Sequence, residues 1–484
     1  LHLSIRRQRQ MCIRDRQETL HYDIVVIGSG PAGEKAAMQA SKLKKQVALI
    51  EKLPRLGGAS LHTGTVPSKS LRETVIHLAL LRQQTHGIDI NFKENLTTKE
   101  LMYRKGMVIQ DQESSLRRNF EKNHITVFEG SPRFLSPTSI EIHPADETEK
   151  YEITTDYTII ATGSSPRRPK WAPFDNECVF DSDTILEIKH LPKKVTIIGA
   201  GVIGCEYASI FSKMGIRVNL IARNRNILPF VDNQIVQNLM YQMRNQRVTL
   251  RLGENVEDIQ KINSEEVHVK LESRKILPCS TVMVAAGRFA NSGGMNLEKV
   301  GIELGSNGLI KTNANFQTAQ PNIYAVGDVI GFPGLASTSM TQARIAVLHA
   351  FGQLESEKMP RDLPLGIWTI PAVSMVGKTE EELTDARIPY EIGIAHFKEL
   401  SRAHIMAEEE GILKLLFDPE TLKILGIHII GPYAAEMIHL GHSVMYYEGT
   451  INYFMNTVFN SPTLDEAYRV AAFNGMNRLD HESL

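Results

Sequence analysis

Cysteine is scarce. The 484 residues hold four, Cys12, Cys178, Cys205 and Cys279, and no two form a C-x-x-C pair. That scatter argues against a disulfide framework and a structural zinc site, so no metal is expected, and it suits a reducing, cytoplasmic setting. A surplus of charge is missing too. Lys and Arg number 54 against 55 Asp and Glu, a formal net charge of −1. Neither nucleic acid nor an anionic membrane surface is therefore an expected partner. No apolar run approaches the roughly 18 residues of a membrane-spanning helix. What is left is an ordinary globular composition, 42% hydrophobic, on a chain long enough for about three domains.

Residues 1–19, LHLSIRRQRQMCIRDRQET, are basic but lack the apolar stretch and cleavage site of a signal peptide. MCIRDR resembles read-through of a sequencing adapter. An extraneous or disordered tail is expected there, with a genuine basic extension as the alternative.

Two segments carry a nucleotide-binding pattern. YDIVVI (22–27) has the apolar content of a buried strand and runs into GSGPAG, in which Gly28, Gly30 and Gly33 make G-x-G-x-x-G, and then into a helical pattern. The first glycine permits a tight turn, the second lets backbone approach a pyrophosphate, and the third lets helix and strand pack closely. The helix N-terminus offers free N–H groups to phosphate. A second strand, QVALIE, ends in Glu51, 23 residues after Gly28, where a ribose 2′-OH would be bound. VTII (195–198) then leads into GAGVIG, with Gly199, Gly201 and Gly204, a helix and the strand RVNLI. Here the position 23 residues on is Ala222, followed by Arg223 and Arg225. An acid would repel a 2′-phosphate, whereas a neutral residue beside guanidiniums accepts one. The first cradle thus suits FAD or NAD, and the second NADP(H) or both nicotinamides. Solvated surface charge is the plainer account of the two arginines. TIIATGSSPRRP (158–169) and TAQPNIYAVGDV (318–329) read as strands by which the chain leaves the first domain and returns.

These motifs, with GG…PSK, AAGR and VGKTEEEL, resemble the flavoprotein disulfide reductase family from about residue 20 onward. The resemblance implies an α/β fold with two Rossmann-type dinucleotide-binding domains, for FAD and NAD(P), and an α+β carboxy-terminal dimerisation domain. The implied bounds are 20–165 with 290–355 for a discontinuous FAD domain, 166–289 for NAD(P) and 360–484 for dimerisation. It implies FAD contacts at Gly28, Gly30, Gly33, Glu51, Gly58, Lys69, Gly130, Thr162, Gly163, Asp328 and Ala336. It implies NAD(P) contacts at Gly199, Gly201, Gly204, Arg223, Arg225 and Gly287. Lys69 would lie beside flavin N5 with Glu206 as its ion-pair partner, the two catalytic candidates, and Asp328 would bind the ribityl chain. A helix starting near Ser337 would aim its positive end at the flavin pyrimidine edge.

Two departures from the family pattern bear on function. Its redox segment, G-G-x-C-x-x-x-x-C-x-P-S-K, reads GGASLHTGTVPSK here, with Ser60 and Thr65 at the cysteine positions. A hydroxyl neither forms a disulfide nor attacks one as a thiolate does. The family's His-Pro-Thr reads Ser461, Pro462 and Thr463, which removes the acid/base histidine and leaves Glu466 nothing to orient. His62, inside the altered segment, reads as a loop or packing residue, and Cys205 as packing. Without a disulfide, hydride delivered by NADPH leaves only to another acceptor, and NAD+ can enter the same site. The sequence resembles the branch of the family that transfers hydride between nicotinamides. A homodimer or larger assembly is expected. An NAD(P)H oxidase or quinone reductase is the competing reading, and a non-catalytic flavoprotein a further one.

Overall fold

The computed structural model describes residues 20–82, 97–145, 150–354 and 358–482. The expected tail at 1–19, with Cys12, lies outside them. The chain divides into two compact units. The first holds the described residues through Thr65, Val108–Ser165 and Arg288–Met359, and the second Val66–Met107, Pro166–Gly287 and Pro360 onward.

The first unit is built on a seven-stranded sheet. Leu20–Ile27 lies between Val47–Glu51 and Tyr151–Ile160 and pairs parallel with both, Ile24 opposite Val47 and Tyr157. Thr126–Glu129 extends the parallel run on one side, and Ile323–Ala325 also pairs with Tyr151–Ile160. Ser139–His143 and Ser131–Ser136 add an antiparallel edge. Strands buried on both faces need apolar residues at successive positions, which explains the unbroken run Ile24, Val25, Val26. The helix Pro31–Lys42 starts with proline, whose fixed φ suits the first turn. It buries Ala32, Ala36 and Ala40, one small residue per turn, so it lies close to the sheet.

The second unit repeats this arrangement. Its parallel sheet runs Val248–Leu252, Arg217–Ala222, Lys194–Ile198, Thr281–Val284 and Val179–Asp181. The helix Val202–Lys213 follows its first glycine loop and is buried over most of its length. The same unit contains a five-stranded antiparallel sheet, Leu365–Ile367, Ala372–Gly377, Ile424–Gly431, Ile412–Phe417 and Glu391–His396, covered by helices that include Ala434–Tyr446 and Glu466–Glu482. Among the described residues no helix is long and apolar enough to cross a membrane.

A fully buried ion pair lies inside this unit. Lys414 sits in a strand whose every residue is buried, and its Nζ meets Asp232 Oδ1 and Oδ2 at 3.0 and 2.9 Å and Glu380 Oε2 at 2.5 Å. Asp232 also caps the helix Asn233–Asn245 through the Gln234 N–H at 3.1 Å. Both side chains of the Lys414–Asp232 pair are 0% exposed. Removing one partner leaves the other as an uncompensated buried charge. Lys414→Met is therefore expected to cost about 3–5 kcal/mol in a denaturant titration of the second unit's unfolding, and a loss below about 1 kcal/mol would contradict the burial.

Candidate active site

In the first unit, Gly28 leaves the Leu20–Ile27 strand at φ +100°, and its N–H donates to the Ile50 carbonyl at 2.8 Å. At Gly33 a Cβ would lie 1.8 Å from the Gly28 carbonyl oxygen, so any side chain there separates helix from loop. At Gly30 a Cβ would meet nothing within 4 Å, which marks the open side of the loop. Gly58 closes against that loop, its Cβ position 2.9 Å from Gly30 Cα.

Ser29, which sequence reasoning passed over inside GSG, ties these parts together. Its N–H and hydroxyl donate to Glu51 Oε2 at 2.9 and 2.6 Å, and its oxygen accepts from the Gly57 N–H at 2.9 Å. Glu51 Oε1 accepts from the Leu53 N–H at 3.1 Å. Glu51 is buried, and these donors satisfy both of its carboxylate oxygens. Its two oxygens keep further lone pairs free to accept. Gly130 donates its N–H to the Glu51 carbonyl at 2.9 Å.

Asp328 follows Gly327 and accepts from the Ser164 hydroxyl at 2.7 Å. Ser164 is in turn gripped by Arg288, whose Nε donates to its hydroxyl and whose Nη2 donates to its carbonyl, both at 2.7 Å. The Gly327 N–H donates to Gln342 Oε1 at 2.8 Å, on the helix that begins at Ala336. Ser164 and Arg288 were legible only as members of ATGSSP and AAGR, and Gln342 had no signal. Thr162 lies beside Gly163 (φ +69°), and its buried hydroxyl has no hydrogen-bond partner among the described residues. An orphaned hydroxyl, an open glycine face and a buried carboxylate fit the diol and phosphates of a bound FAD.

The second unit repeats the loop. Gly199 is at φ +109° with its N–H on the Ile221 carbonyl at 2.9 Å, and a Cβ on Gly204 would lie 1.8 Å from the Gly199 oxygen. Gly201 is open like Gly30. Ala222 ends the second strand, buried and without charge, and Arg223 and Arg225 follow it exposed. Gly287 accepts the Arg167 N–H at 2.9 Å. This donor set fits a nicotinamide nucleotide.

Residues 57–69, where periodicity dictates no element, form two helices, Gly58–His62 and Thr65–Arg82. Lys69 falls in the second turn of the longer one. Its Nζ donates to Glu206 Oε2 at 2.7 Å, and Glu206 Oε1 accepts the Trp368 N–H at 2.9 Å. Glu206 is 5% exposed against 22% for Lys69, so the buried acid anchors the partly accessible cation. His62 Nε2 lies 2.7 Å from the Leu56 carbonyl, a packing contact.

Among the described residues no exposed thiol lies near the Lys69–Glu206 pair. Cys178, Cys205 and Cys279 are free and buried. Burial pushes all three thiols up, and at Cys205 the neighbouring Glu206 adds to it. The Cys205 Sγ–H points at the Ala200 carbonyl, 3.4 Å away. Glu466 is occupied: its carboxylate accepts the Thr463 N–H at 3.1 Å, at the head of the last helix.

Comparison with known proteins agrees with this geometry. Residues 22–349 match the family described as pyridine nucleotide-disulphide oxidoreductase, and residues 363–472 its dimerisation domain. A protein of Mycobacterium bovis named soluble pyridine nucleotide transhydrogenase is 44% identical over 95% of this chain and 98% of its own. One of that name from Yersinia enterocolitica is 43% identical over 96% of this chain and all of its own. Among solved structures, LpdA from Mycobacterium tuberculosis matches with a TM-score of 0.86 over 94% of this chain and 99% of its own; at 24% identity it speaks for the fold alone. The HOCl-induced flavoprotein disulfide reductase RclA from Escherichia coli matches with a TM-score of 0.84 at 26% identity, over 93% of this chain and 99% of its own.

The two loops give a paired prediction. Gly33→Ala should yield protein without visible flavin absorbance. Gly204→Ala should keep the flavin yet lose nicotinamide binding, measured by nucleotide titration of flavin fluorescence. Retained flavin in Gly33→Ala would contradict the close approach.

Proposed function

The chain belongs to the pyridine nucleotide-disulphide oxidoreductase family, and from that premise we propose that it is an FAD-dependent transhydrogenase, converting NADPH and NAD+ to NADP+ and NADH in a ping-pong exchange. One observation carries this reading. Ser60, Thr65 and Ser461 stand where a disulfide and a proton-shuttling histidine would be needed, while both nucleotide loops and the Lys69–Glu206 pair are intact. The near full-length similarity to proteins named soluble pyridine nucleotide transhydrogenase supports it.

FAD, when bound, supplies a centre that accepts hydride from one nicotinamide and returns it to another. The chain's own residues do the rest. Gly28, Gly30 and Gly33 admit the pyrophosphate to the helix N-terminus, and Glu51 takes the ribose diol. Gly58, Gly130, Thr162 and Gly163 line the same cradle, and Asp328, oriented by Ser164 and Arg288, takes the ribityl hydroxyls. The helix from Ala336 turns its positive end toward the flavin. Lys69, held in place by its ion pair with Glu206, offsets negative charge where hydride is exchanged. Gly199, Gly201, Gly204 and Gly287 receive the nicotinamide nucleotides in turn, and Arg223 and Arg225 grip the 2′-phosphate. Ala222 lets NAD(H) use the same place, since no carboxylate there discriminates.

On this reading residues 20–165 with 290–355 bind FAD, 166–289 bind NAD(P), and 360–484 hold two copies together. The match to a dimerisation domain supports a homodimer. A larger assembly and a cytoplasmic location are further parts of the proposal.

The purified protein should be yellow. Without oxygen or thiols it should pass hydride from NADPH to thio-NAD+, and it should not act on dihydrolipoamide or glutathione disulfide. Oxygen or a quinone serving while thio-NAD+ fails would favour an oxidase or quinone reductase instead. Replacing Arg223 and Arg225 together with alanine should weaken NADP(H) relative to NAD(H) by about 1–3 kcal/mol, read from the two KM and kcat/KM values. Equal loss for both nucleotides would remove the arginines from the 2′-phosphate.

A further inference from the structure

The Lys69–Glu206 pair is not held by its own two helices alone. Three consecutive residues between the strands Leu365–Ile367 and Ala372–Gly377 bond alternately to both. The Trp368 N–H donates to Glu206 Oε1 at 2.9 Å. The Thr369 carbonyl accepts from Arg72 Nε at 3.1 Å. The Ile370 N–H donates to Ser209 Oγ at 3.1 Å, and that hydroxyl donates to the Glu206 carbonyl at 2.8 Å. Glu206 and Ser209 are three residues apart on one helix, as are Lys69 and Arg72 on the other, so each pair shares a face. A closed ring results. Lys69 grips Glu206, Glu206 grips the backbone at Trp368, the next carbonyl grips Arg72, and Arg72 returns to Lys69 through one helical turn.

Arg72 is out of place by ordinary solvation. It is 7% exposed, and its Nε is used on a carbonyl of Thr369, itself 0% exposed. Its guanidinium stands over the Trp368 ring, 5.6 Å from the centroid, and pairs at its outer edge with Glu73. A planar fork that bonds a carbonyl and stacks on a ring is something lysine cannot copy in full.

We propose that Arg72 is a positioning residue for hydride transfer: it pins the Trp368–Ile370 backbone, which fixes the Glu206 carboxylate and through it the Lys69 ammonium. The inference rests on the reading of Lys69 and Glu206 as the flavin-facing pair. The warrant is geometric. A displacement of an ångström in a charged group costs about a hundredfold where chemistry depends on its aim, and such groups need a supporting shell.

The test uses the holoenzyme. Arg72→Met, Glu206→Gln and the double variant are compared by the anaerobic rate of flavin bleaching on mixing with NADPH. A second readout is independent of turnover: acrylamide quenching of Trp368 in a Trp171→Phe background, these being the two tryptophans of the chain. Arg72→Met should slow bleaching about tenfold with the NADPH Kd unchanged within about twofold, and should raise the Trp368 quenching constant about twofold. In the Glu206→Gln background it should slow bleaching by less than about twofold more, because it acts through a group already lost. Should Arg72→Met fold poorly, Arg72→Lys should give the same order with a loss of about threefold. A full tenfold loss in both backgrounds, or slow bleaching with unchanged quenching, overturns the role. If Glu206→Gln slows bleaching and Arg72→Met does not, this inference alone fails. If Glu206→Gln leaves bleaching unchanged, the flavin-facing reading of the pair fails and takes the inference with it.

Discussion

A carboxylate taken out of water must find a donor for each oxygen, and Glu206 finds its donors far apart in the chain. One oxygen takes the Lys69 ammonium, 137 residues earlier, and the other the Trp368 N–H, 162 residues later. Its burial therefore constrains three segments at once: the helix after the altered redox segment, the helix of the second glycine loop, and the turn between two strands of the antiparallel sheet. The Lys69 ammonium, the charge proposed to serve the reaction, is placed by the desolvation cost of leaving any member unpaired.

The two glycine loops show how one backbone solution serves two ligands. Gly33 and Gly204 admit helix to loop at the same 1.8 Å Cβ distance, and Gly30 and Gly201 face open space in both. The two loops differ in the side chains at and just after the end of the second strand. Glu51 is buried and satisfied by Ser29 and Leu53, a carboxylate set for a diol. Ala222 carries no charge, which on the proposed function lets the second loop accept both nucleotides in succession. A transhydrogenase requires that asymmetry, because its cofactor stays while its substrates exchange.

The loss of sulfur is met by reuse of the surrounding frame. The altered segment still folds as two helices, His62 packs on the Leu56 carbonyl, and Glu466 caps a helix through the Thr463 N–H. The three cysteines among the described residues are buried, and burial pushes their thiols up. The scaffold therefore stands without the disulfide.

Local sequence alone determined the strands, the glycine loops, the charge at Glu51 and its absence at Ala222, because glycine spacing and apolar runs act over a few residues. It determined equally that the family's disulfide positions hold no sulfur, since Ser60 and Thr65 stand there. Ser29 and Ser164 sat inside recognised motifs, but their bonds to Glu51 and Asp328 join residues 22 and 164 positions apart, and the motif spacing does not say which side chain donates to which. Lys414 lay hidden in a strand that reads as apolar. Arg72 looked like one more charge on a helix until Thr369 and Trp368 were folded against it. Tertiary structure decided these roles because each depends on which buried donor meets which acceptor, and only the packed chain chooses those partners.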